Sequence, residues 1–329
     1  MKEKDWLKIL ITEPMHEAGL KLLTEKGYEV RIAPNASEAT LAREVKDASG
    51  LLVRTASVPA GVIMAGRMLK VIARHGVGYD NIDMAAATSR GIPVCITHRA
   101  NAESVAEHTF ALMLALAKRI VPYDCATRNE GWEIRNTYSA VDLNGKVLGV
   151  VGMGRIGTLV CKKAVAAFNM KVLVFSPRTP REMIESVGGR QALAISDILR
   201  NADFISLHMP LRQETKGLIG ESEFRMMKPS AFLINCARGL VVDEVAMIKA
   251  LRNGTIAGAG LDVFDREPPR ADNPLFELPN VVLSPHSAGL TIDGVIRMAT
   301  QAAQAIVDVL EGRRPEGIVN PEVWPYVKN

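Results

Sequence analysis

The strongest constraint on the fold is a pattern that runs through most of the chain. Short apolar runs, each long enough for one buried strand, alternate with segments of helical spacing. In the first hundred residues we predict strands at 7–11, 28–32, 50–53, 70–73 and 93–96, with helices at 15–26, 38–46, 59–66 and 83–90. Short apolar strands that alternate with helices form parallel sheets covered on both faces. The sequence therefore predicts an α/β fold.

A second alternating series begins at Lys146. Its predicted strands are 147–151, 171–175, 204–207, 231–235, 257–261 and 281–283, and a helix ending near Phe168 separates the first two. The strongest predicted helix, 104–118, precedes this series and is apolar enough in its middle to be buried. A long helix at 291–310 follows it. At 329 residues the chain is long enough for two domains, each with its own core.

Composition excludes several classes of protein. The net charge of +4 is spread along the chain without a Lys/Arg-rich block, so we expect no nucleic-acid partner. No apolar run is long enough to cross a membrane, and the first residues lack the core of a signal peptide. The four cysteines form no CxxC pair. These features predict a cytoplasmic protein with no disulfides and no metal site.

A glycine-rich turn follows the first strand of the second series. Its glycines are Gly152, Gly154 and Gly157, with Arg155 and Ile156 between the last two. The first glycine permits a tight turn, the second lets backbone N–H groups approach a pyrophosphate, and the third lets helix and strand pack closely. Glycines at this spacing also occur in plain turns, but the strand before and the helix after favour dinucleotide binding.

The residues that follow the next strand bear on the choice of cofactor. An NAD site usually has a carboxylate there for the ribose 2′-hydroxyl. This chain has Ser176 and Arg178 instead. A hydroxyl and a guanidinium attract a 2′-phosphate, so the sequence favours NADP over NAD. The alternative is that Arg178 is a solvated loop cation and that NAD is used without the usual acid.

Three residues far apart in the last third of the chain, Arg238, Glu267 and His286, each follow an apolar strand. The ends of buried strands are where open α/β sheets place their chemistry. A guanidinium can bind a carboxylate bidentately, and an imidazole beside a carboxylate can move one proton near neutral pH. Each residue also has a plain alternative: a surface arginine, a solvated or helix-capping glutamate, and a core histidine.

Two further strand ends carry polar side chains. His208 is expected to line the cofactor pocket, although a structural role is nearly as plausible. Asp262 is expected to contact the nicotinamide or its ribose, and its alternative is a turn-forming role.

The ordered motifs together resemble the D-isomer-specific 2-hydroxyacid dehydrogenase family over nearly the whole chain. They are GVGYDNID at 76–83, Asn101 with SVAEH at 104–108, GMGRIG at 152–157, LHMPL at 207–211, NCARG at 235–239, GLDVF at 260–264, Glu267-Pro268 and PHSAG at 285–289. Stretches before residue 96 are most similar to the phosphoglycerate dehydrogenase branch.

The resemblance implies a Rossmann nucleotide-binding domain at 103–290. It implies a discontinuous, flavodoxin-like substrate domain made of 1–102 and 291–329. It also implies a homodimer to which the helix beginning at Ser104 and its neighbourhood contribute. Further residues expected at the cofactor are Pro210, Thr215, Cys236, Ala237 and Gly289, and those expected at the substrate are Arg54, Val77, Gly78 and Asn101.

The implied reaction is hydride transfer between NAD(P)(H) and C2 of a small 2-oxo or D-2-hydroxy acid. Arg238 would bind the substrate carboxylate and carbonyl oxygen, with the backbone N–H groups near Val77 and Gly78 on the carboxylate's other side. His286 would donate the proton, and Glu267 would stabilise its imidazolium. A formate dehydrogenase of this fold needs no proton donor, so Glu267 favours an oxo acid over formate.

The substrate stays open between two expectations. Arg54, Arg74 and Arg135 match positions near the substrate phosphate in phosphoglycerate dehydrogenases, so their convergence would favour 3-phosphoglycerate. The NADP signature favours instead a glyoxylate or hydroxypyruvate reductase, because NADPH usually serves reduction. A remoter alternative is an NAD(H)-sensing corepressor that shares the fold, against which the lack of long disordered extensions argues.

Overall fold

The computed structural model describes residues 7–324. The first six and last five residues, which belong to the predicted substrate domain, lie outside the described part. The chain divides into two compact units. The first unit contains the residues up to Asn101 and those from Leu290 onward, and the second unit contains Ala102–Gly289.

Every strand of the first unit pairs in parallel with its neighbours. The strands are β1 (Lys8–Ile11), β2 (Glu29–Ile32), β3 (Gly50–Val53), β4 (Val71–Arg74) and β5 (Val94–Ile96). Their order in the sheet is β2-β1-β3-β4-β5. This is the strand order of flavodoxin-like folds. The flavodoxin-like topology expected for the discontinuous unit is therefore present.

Helices cover both faces of this sheet. They are α1 (Glu17–Glu25), α2 (Glu38–Glu44), α3 (Ala60–Ala65), α4 (Met84–Ser89) and, from the end of the chain, α12 (Ile292–Leu310). Ser37, Asp83 and Thr291 cap the starts of α2, α4 and α12 by accepting a backbone N–H, which satisfies donors that a helix cannot use internally. The C-terminal helix α12 packs on α1 and on the sheet, which joins both ends of the chain in one core.

The second unit contains a seven-stranded parallel sheet. Its strands are β6 (Val147–Val151), β7 (Lys171–Phe175), β8 (Gly189–Gln191), β9 (Phe204–Leu207), β10 (Phe232–Asn235), β11 (Gly258–Leu261) and β12 (Val281–Leu283). Their order is β12-β11-β10-β9-β6-β7-β8. The order reverses between β6 and β9, which is the switch point where doubly wound sheets bind ligands.

The helices of the second unit are α5 (Ala102–Ala117), α6 (Ile120–Arg128), α7 (Arg155–Phe168), α8 (Arg181–Glu185), α9 (Ile195–Asn201), α10 (Glu221–Met226) and α11 (Glu244–Arg252). α5 packs on α7, β10 and β11, which accounts for its apolar middle. Short 3₁₀ helices lie at Trp132–Thr137, Gly239–Val241, Pro274–Glu277 and Pro321–Val323. Within residues 7–324 no helix is both long and apolar enough to cross a membrane.

Candidate active site

Arg238 lies in the loop after β10, and a buried asparagine shapes that loop. Asn235 Oδ1 accepts the N–H of Ala237 at 3.0 Å, and Asn235 Nδ2 donates to the carbonyl of Arg238 at 2.9 Å. Asn235 is only 1% exposed, so no water competes for these bonds. The half-buried Arg238 donates from Nη1 to the carbonyl of Ala237 at 2.6 Å. Sequence reasoning missed Asn235, although a polar residue that ends an apolar strand was a usable signal.

Glu267 lies in the loop after β11, the next strand of the sheet. Its Oε1 accepts the N–H of Phe264 at 3.1 Å, which folds the loop back on itself. Glu244, in the first turn of α11, accepts from the N–H of Asp265 at 3.2 Å and from Asn273 Nδ2 at 2.9 Å. Glu244 therefore holds the loop from outside, a role that its sequence position did not indicate.

A glycine brings the loops of Arg238 and Glu267 together. A Cβ at Gly239 would lie 1.8 Å from the carbonyl oxygen of Phe264, far inside van der Waals contact. Only a residue without a side chain allows this approach of the two backbones. The arginine is thus held beside the loop that carries the glutamate.

His286 lies in the loop after β12 in the left-handed region, with φ of 51°. A non-glycine residue held in that region costs on the order of 1–3 kcal/mol and persists only when its surroundings impose the conformation. The N–H of His286 donates to the Asp262 carbonyl at 2.8 Å. The Asp262 carboxylate, 1% exposed, accepts the N–H groups of Ser287 at 2.8 Å and Ala288 at 2.9 Å.

The imidazole and the carboxylate meet directly. His286 Nδ1 lies 2.6 Å from Glu267 Oε2, while 50% of the His286 side chain and 37% of the Glu267 side chain stay exposed. Burial raises the pKa of Glu267, but the hydrogen bond and charge of His286 outweigh it, and the net pKa lies below its usual value. A carboxylate that stays ionised at neutral pH supports a protonated imidazole, and this leaves Nε2 as the donor toward a substrate.

The glycine turn between β6 and α7 has the shape that a pyrophosphate needs. A Cβ at Gly152, whose φ is 92°, would lie 2.5 Å from the His208 carbonyl, and one at Gly157 would lie 2.4 Å from the Gly152 carbonyl. A Cβ at Gly154 would meet no heavy atom within 4 Å, and no side chain caps the first turn of α7, where Arg155 and Ile156 lie. Uncapped N–H groups beside open space form an anion site. The residues present therefore fit a dinucleotide.

Alanine at two glycines of this turn should separate cofactor binding from folding. Gly154→Ala should fold normally and weaken NAD(P)H binding by about tenfold or more, since its methyl group takes the space of the phosphate. Gly157→Ala should lower the melting temperature, because overpacking against backbone costs about 1–3 kcal/mol. Fluorescence titration of the cofactor and thermal unfolding measure the two effects. Wild-type affinity in Gly154→Ala would contradict the assignment of the turn.

The loop expected to select the cofactor is built around Ser176. Its Oγ accepts the N–H of Met153 at 3.1 Å and lies 2.8 Å from Thr179 Oγ1, so this hydroxyl orders the glycine turn. Arg178 is exposed and makes no hydrogen bond or ion pair with any residue in 7–324. Of the two residues predicted for a 2′-phosphate, the arginine is the one with uncommitted donors.

The remaining predicted cofactor residues follow β9 and β10 or lie near β12. His208 Nε2 lies 2.8 Å from Ser206 Oγ, and burial lowers the His208 pKa to about 4, so the ring is neutral at physiological pH. Thr215 Oγ1 donates to the Pro210 carbonyl at 2.9 Å. Cys236 and Ala237 belong to the Arg238 loop, and Gly289 ends the second unit. The Asp262 carboxylate holds the His286 loop, and its contact with a cofactor stays a prediction.

The predicted substrate residues of the first unit lie at or near the carboxyl ends of its strands. The N–H groups of Val77 and Gly78, after β4, donate to no group within residues 7–324. Asn101, the last residue before the second unit, has a buried Oδ1 without a partner in the same part of the chain. Free donors in a loop next to a positive-φ glycine, Gly76 at 143°, fit an anionic group.

Arg54 directly follows β3, and Arg74 ends the neighbouring strand β4. Burial, with the charges of both arginines, lowers the pKa of His75, the residue after Arg74, to about 4. The loop that carries Arg54 is held by Glu13, whose carboxylate accepts the N–H groups of Thr55 and Ala56 and which sequence reasoning missed. Arg135 belongs to the second unit and lies over Trp132, 5.7 Å from the ring centroid.

The second unit thus has the topology of a dinucleotide-binding domain, with a guanidinium, a carboxylate and an imidazole on three successive strand ends. This arrangement is typical of a nucleotide-binding domain of the doubly wound class. Residues 110–288 match the family model described as D-isomer specific 2-hydroxyacid dehydrogenase, NAD binding domain. The chain belongs to the D-isomer-specific 2-hydroxyacid dehydrogenase family.

The similar proteins include two kinds of enzyme. The chain is 42% identical to a D-3-phosphoglycerate dehydrogenase of Methanocaldococcus jannaschii over 98% of its length, but it spans only 61% of that protein. It is 39% identical to a glyoxylate reductase of Korarchaeum cryptofilum, covering 96% of both chains. Among solved structures, an NADPH-dependent glyoxylate/hydroxypyruvate reductase of Sinorhizobium meliloti superposes with a TM-score of 0.85 at 29% identity, over 95% of this chain and 96% of that one.

Proposed function

We propose that this protein transfers a hydride between NAD(P)(H) and C2 of a small 2-oxo or D-2-hydroxy acid. The observation that carries the proposal is the 2.6 Å bond between His286 Nδ1 and Glu267 Oε2, on loops that adjoin the Arg238 loop and belong to the sheet of the glycine turn. We assign residues 103–290 to the nucleotide and residues 1–102 with 291–329 to the substrate.

Each side chain has one task in the proposed reaction. The Arg238 guanidinium binds the substrate carboxylate in a planar, two-bond contact and polarises the neighbouring carbonyl. Protonated His286 donates from Nε2 to the oxygen at C2, and in the reverse direction the neutral ring takes that proton back. Glu267 keeps the ring oriented and its cationic form stabilised. A bound nicotinamide supplies or accepts the hydride.

The exposed, uncommitted guanidinium of Arg178 favours NADPH over NADH. Arg178→Ala should raise the KM for NADPH about tenfold or more and leave the KM for NADH nearly unchanged, because only NADPH has the 2′-phosphate. Arg181→Ala is the matched control, since that arginine already pairs with Glu185 in α8. Equal losses with both cofactors would contradict a 2′-phosphate contact.

The substrate is one of two candidates, each favoured by its own observation. Arg54 and Arg74 beside His75 favour a phosphorylated substrate, 3-phosphohydroxypyruvate. The NADPH preference favours glyoxylate or hydroxypyruvate. Steady-state assays of both cofactors against these three oxo acids decide between them. NADPH-linked turnover of the unphosphorylated acids identifies a glyoxylate/hydroxypyruvate reductase. NADH-linked turnover of the phosphorylated acid identifies a phosphoglycerate dehydrogenase. The absence of any turnover contradicts the proposed activity.

We further propose a homodimer formed through the segment 118–142. This segment contains no buried residue, yet it exposes 55% of Ile120, 52% of Val121, 61% of Trp132 and 87% of Tyr138. A helix and a 3₁₀ turn that expose large apolar side chains and contain no fully buried residue favour a partner surface, and a second copy supplies the same apolar residues.

Light scattering should give twice the mass of 35.7 kDa. Val121→Glu should shift the population toward the monomer, because a dimer interface would bury the new charge unpaired. Leu193→Glu is the control, since Leu193 is 87% exposed elsewhere in the same unit. A monomeric wild type would contradict the proposal.

A further inference from the structure

Three polar side chains from different elements form a hydrogen-bonded chain behind the His286 loop. His108, on α5, places Nε2 2.8 Å from Ser284 Oγ. Ser284 donates from Oγ to Asp262 Oδ1 at 2.6 Å. The direct distance from His108 Nε2 to Asp262 Oδ1 is 3.6 Å, so the serine is the closer link. None of the assigned tasks in hydride or proton transfer uses His108 or Ser284.

The direction of the bonds follows from the chemistry of the groups. An ionised carboxylate only accepts hydrogen bonds, so the hydroxyl of Ser284 must donate to Asp262. The hydroxyl oxygen then accepts, and His108 must carry a proton on Nε2. The hydrogen bonds are therefore donated from His108 on α5 to Ser284 after β12, and from Ser284 to the Asp262 carboxylate after β11.

This network brackets His286 on both sides. Asp262 binds Ser284, two residues before the histidine, and the N–H groups of Ser287 and Ala288, the two residues after it. The left-handed backbone of His286 is unfavourable for a non-glycine residue and needs such bonds to persist. The side of the loop before His286 is held through Ser284, and Ser284 is in turn held through His108.

We propose that His108 and Ser284 are positioning residues of the oxidoreductase. They fix the loop Ser284–Ala288 so that the His286 ring keeps its bond to Glu267, and they touch neither substrate nor cofactor. The inference rests on the proposed function. Its consequence is selective: loosening this loop impairs proton transfer, whereas the glycine turn and the Arg238 loop keep their own supports.

Ser284→Ala and His108→Leu are therefore expected to lower kcat for oxo-acid reduction by roughly 10- to 100-fold, a part of what a positioned general acid contributes. The dissociation constant for NADPH, measured by fluorescence titration of the full chain, should stay within twofold. Ser284→Thr and His108→Gln keep a hydroxyl and an N–H donor and should recover much of the activity. Ser186→Ala is the control, because its hydroxyl binds only the Met183 carbonyl in the same unit.

A double-mutant cycle separates positioning from a general structural role. Because Ser284 acts through the bond between His286 and Glu267, Ser284→Ala should have little further effect on kcat when Glu267→Gln is already present. Full additivity of the two losses overturns the proposal, and so does a kcat within twofold of wild type in both Ser284→Ala and His108→Leu. Absence of turnover in the wild type would instead overturn the proposed function, so the two failures are distinguishable.

Discussion

Replacing Arg238 with alanine is expected to lower kcat/KM for the oxo acid by roughly 30- to 4,000-fold. Removing one partner of a desolvated charge pair costs about 2–5 kcal/mol, and each 1.4 kcal/mol is about tenfold in rate. The substrate carboxylate would remain in the site without its guanidinium. Arg238→Lys should restore only part of the loss, because an ammonium group cannot make the planar two-bond contact.

Cofactor binding distinguishes this loss from unfolding. The dissociation constant for NADPH should be nearly unchanged in Arg238→Ala, because the glycine turn follows β6 whereas Arg238 follows β10. Arg200→Ala, on the exposed side of α9, is the matched control and should keep wild-type kinetics. A kcat/KM for Arg238→Ala within tenfold of wild type would contradict the assignment of Arg238 to the substrate site.

Glu267→Gln should shift the pH profile of oxo-acid reduction. The pKa of Glu267 is lowered: burial raises it, but the hydrogen bonds from His286 and the Phe264 N–H, together with the charges of His286 and Arg238, outweigh burial. The carboxylate is therefore ionised at neutral pH, and its charge is lost only as the pH falls through that lowered pKa. Glutamine keeps the hydrogen bond and removes the charge. The imidazolium then loses its proton more readily, and the alkaline limb of reduction should move down by about one pH unit or more.

The sign of the change is a test in itself. Reduction needs the protonated ring and should lose about tenfold or more near pH 7.5, whereas hydroxy-acid oxidation needs the neutral ring and should extend to lower pH. Glu185→Gln, an exposed glutamate of α8, is the control and should leave both limbs in place. If Glu267→Gln has the wild-type profile, Glu267 is not the functional partner of His286.

The agreement between predicted and observed strands has a simple origin. Strands such as Val147–Val151 and Phe204–Leu207 are buried on both faces, so their apolar runs coincide with their bounds. The starts of other strands, such as β1 at Lys8 and β10 at Phe232, come one residue later than predicted because the apolar residue before each lies outside the strand. The edge strand Gly189–Gln191 was not predicted, because a short, partly exposed strand needs no apolar run.

The candidate site was predicted to the level of residue type and strand end, and no further. Arg238, Glu267 and His286 were recognisable because each follows an apolar run, and parallel strands place their carboxyl ends on one edge of a sheet. Which donors meet which acceptors was not predictable. Ser176 was assigned to a 2′-phosphate, yet its hydroxyl accepts the N–H of Met153, 23 residues away.

The sequence alone determined the α/β class, the glycine turn and the three strand-end residues, because these depend on local periodicity and on the order of elements along the chain. Only the tertiary structure decided that Asp262 holds the His286 loop, that Gly239 admits the Phe264 carbonyl, and that His108 reaches Ser284. Those contacts join residues up to 176 positions apart. Their geometry is set by the pairing and packing of whole strands and helices, which no local pattern of residues encodes.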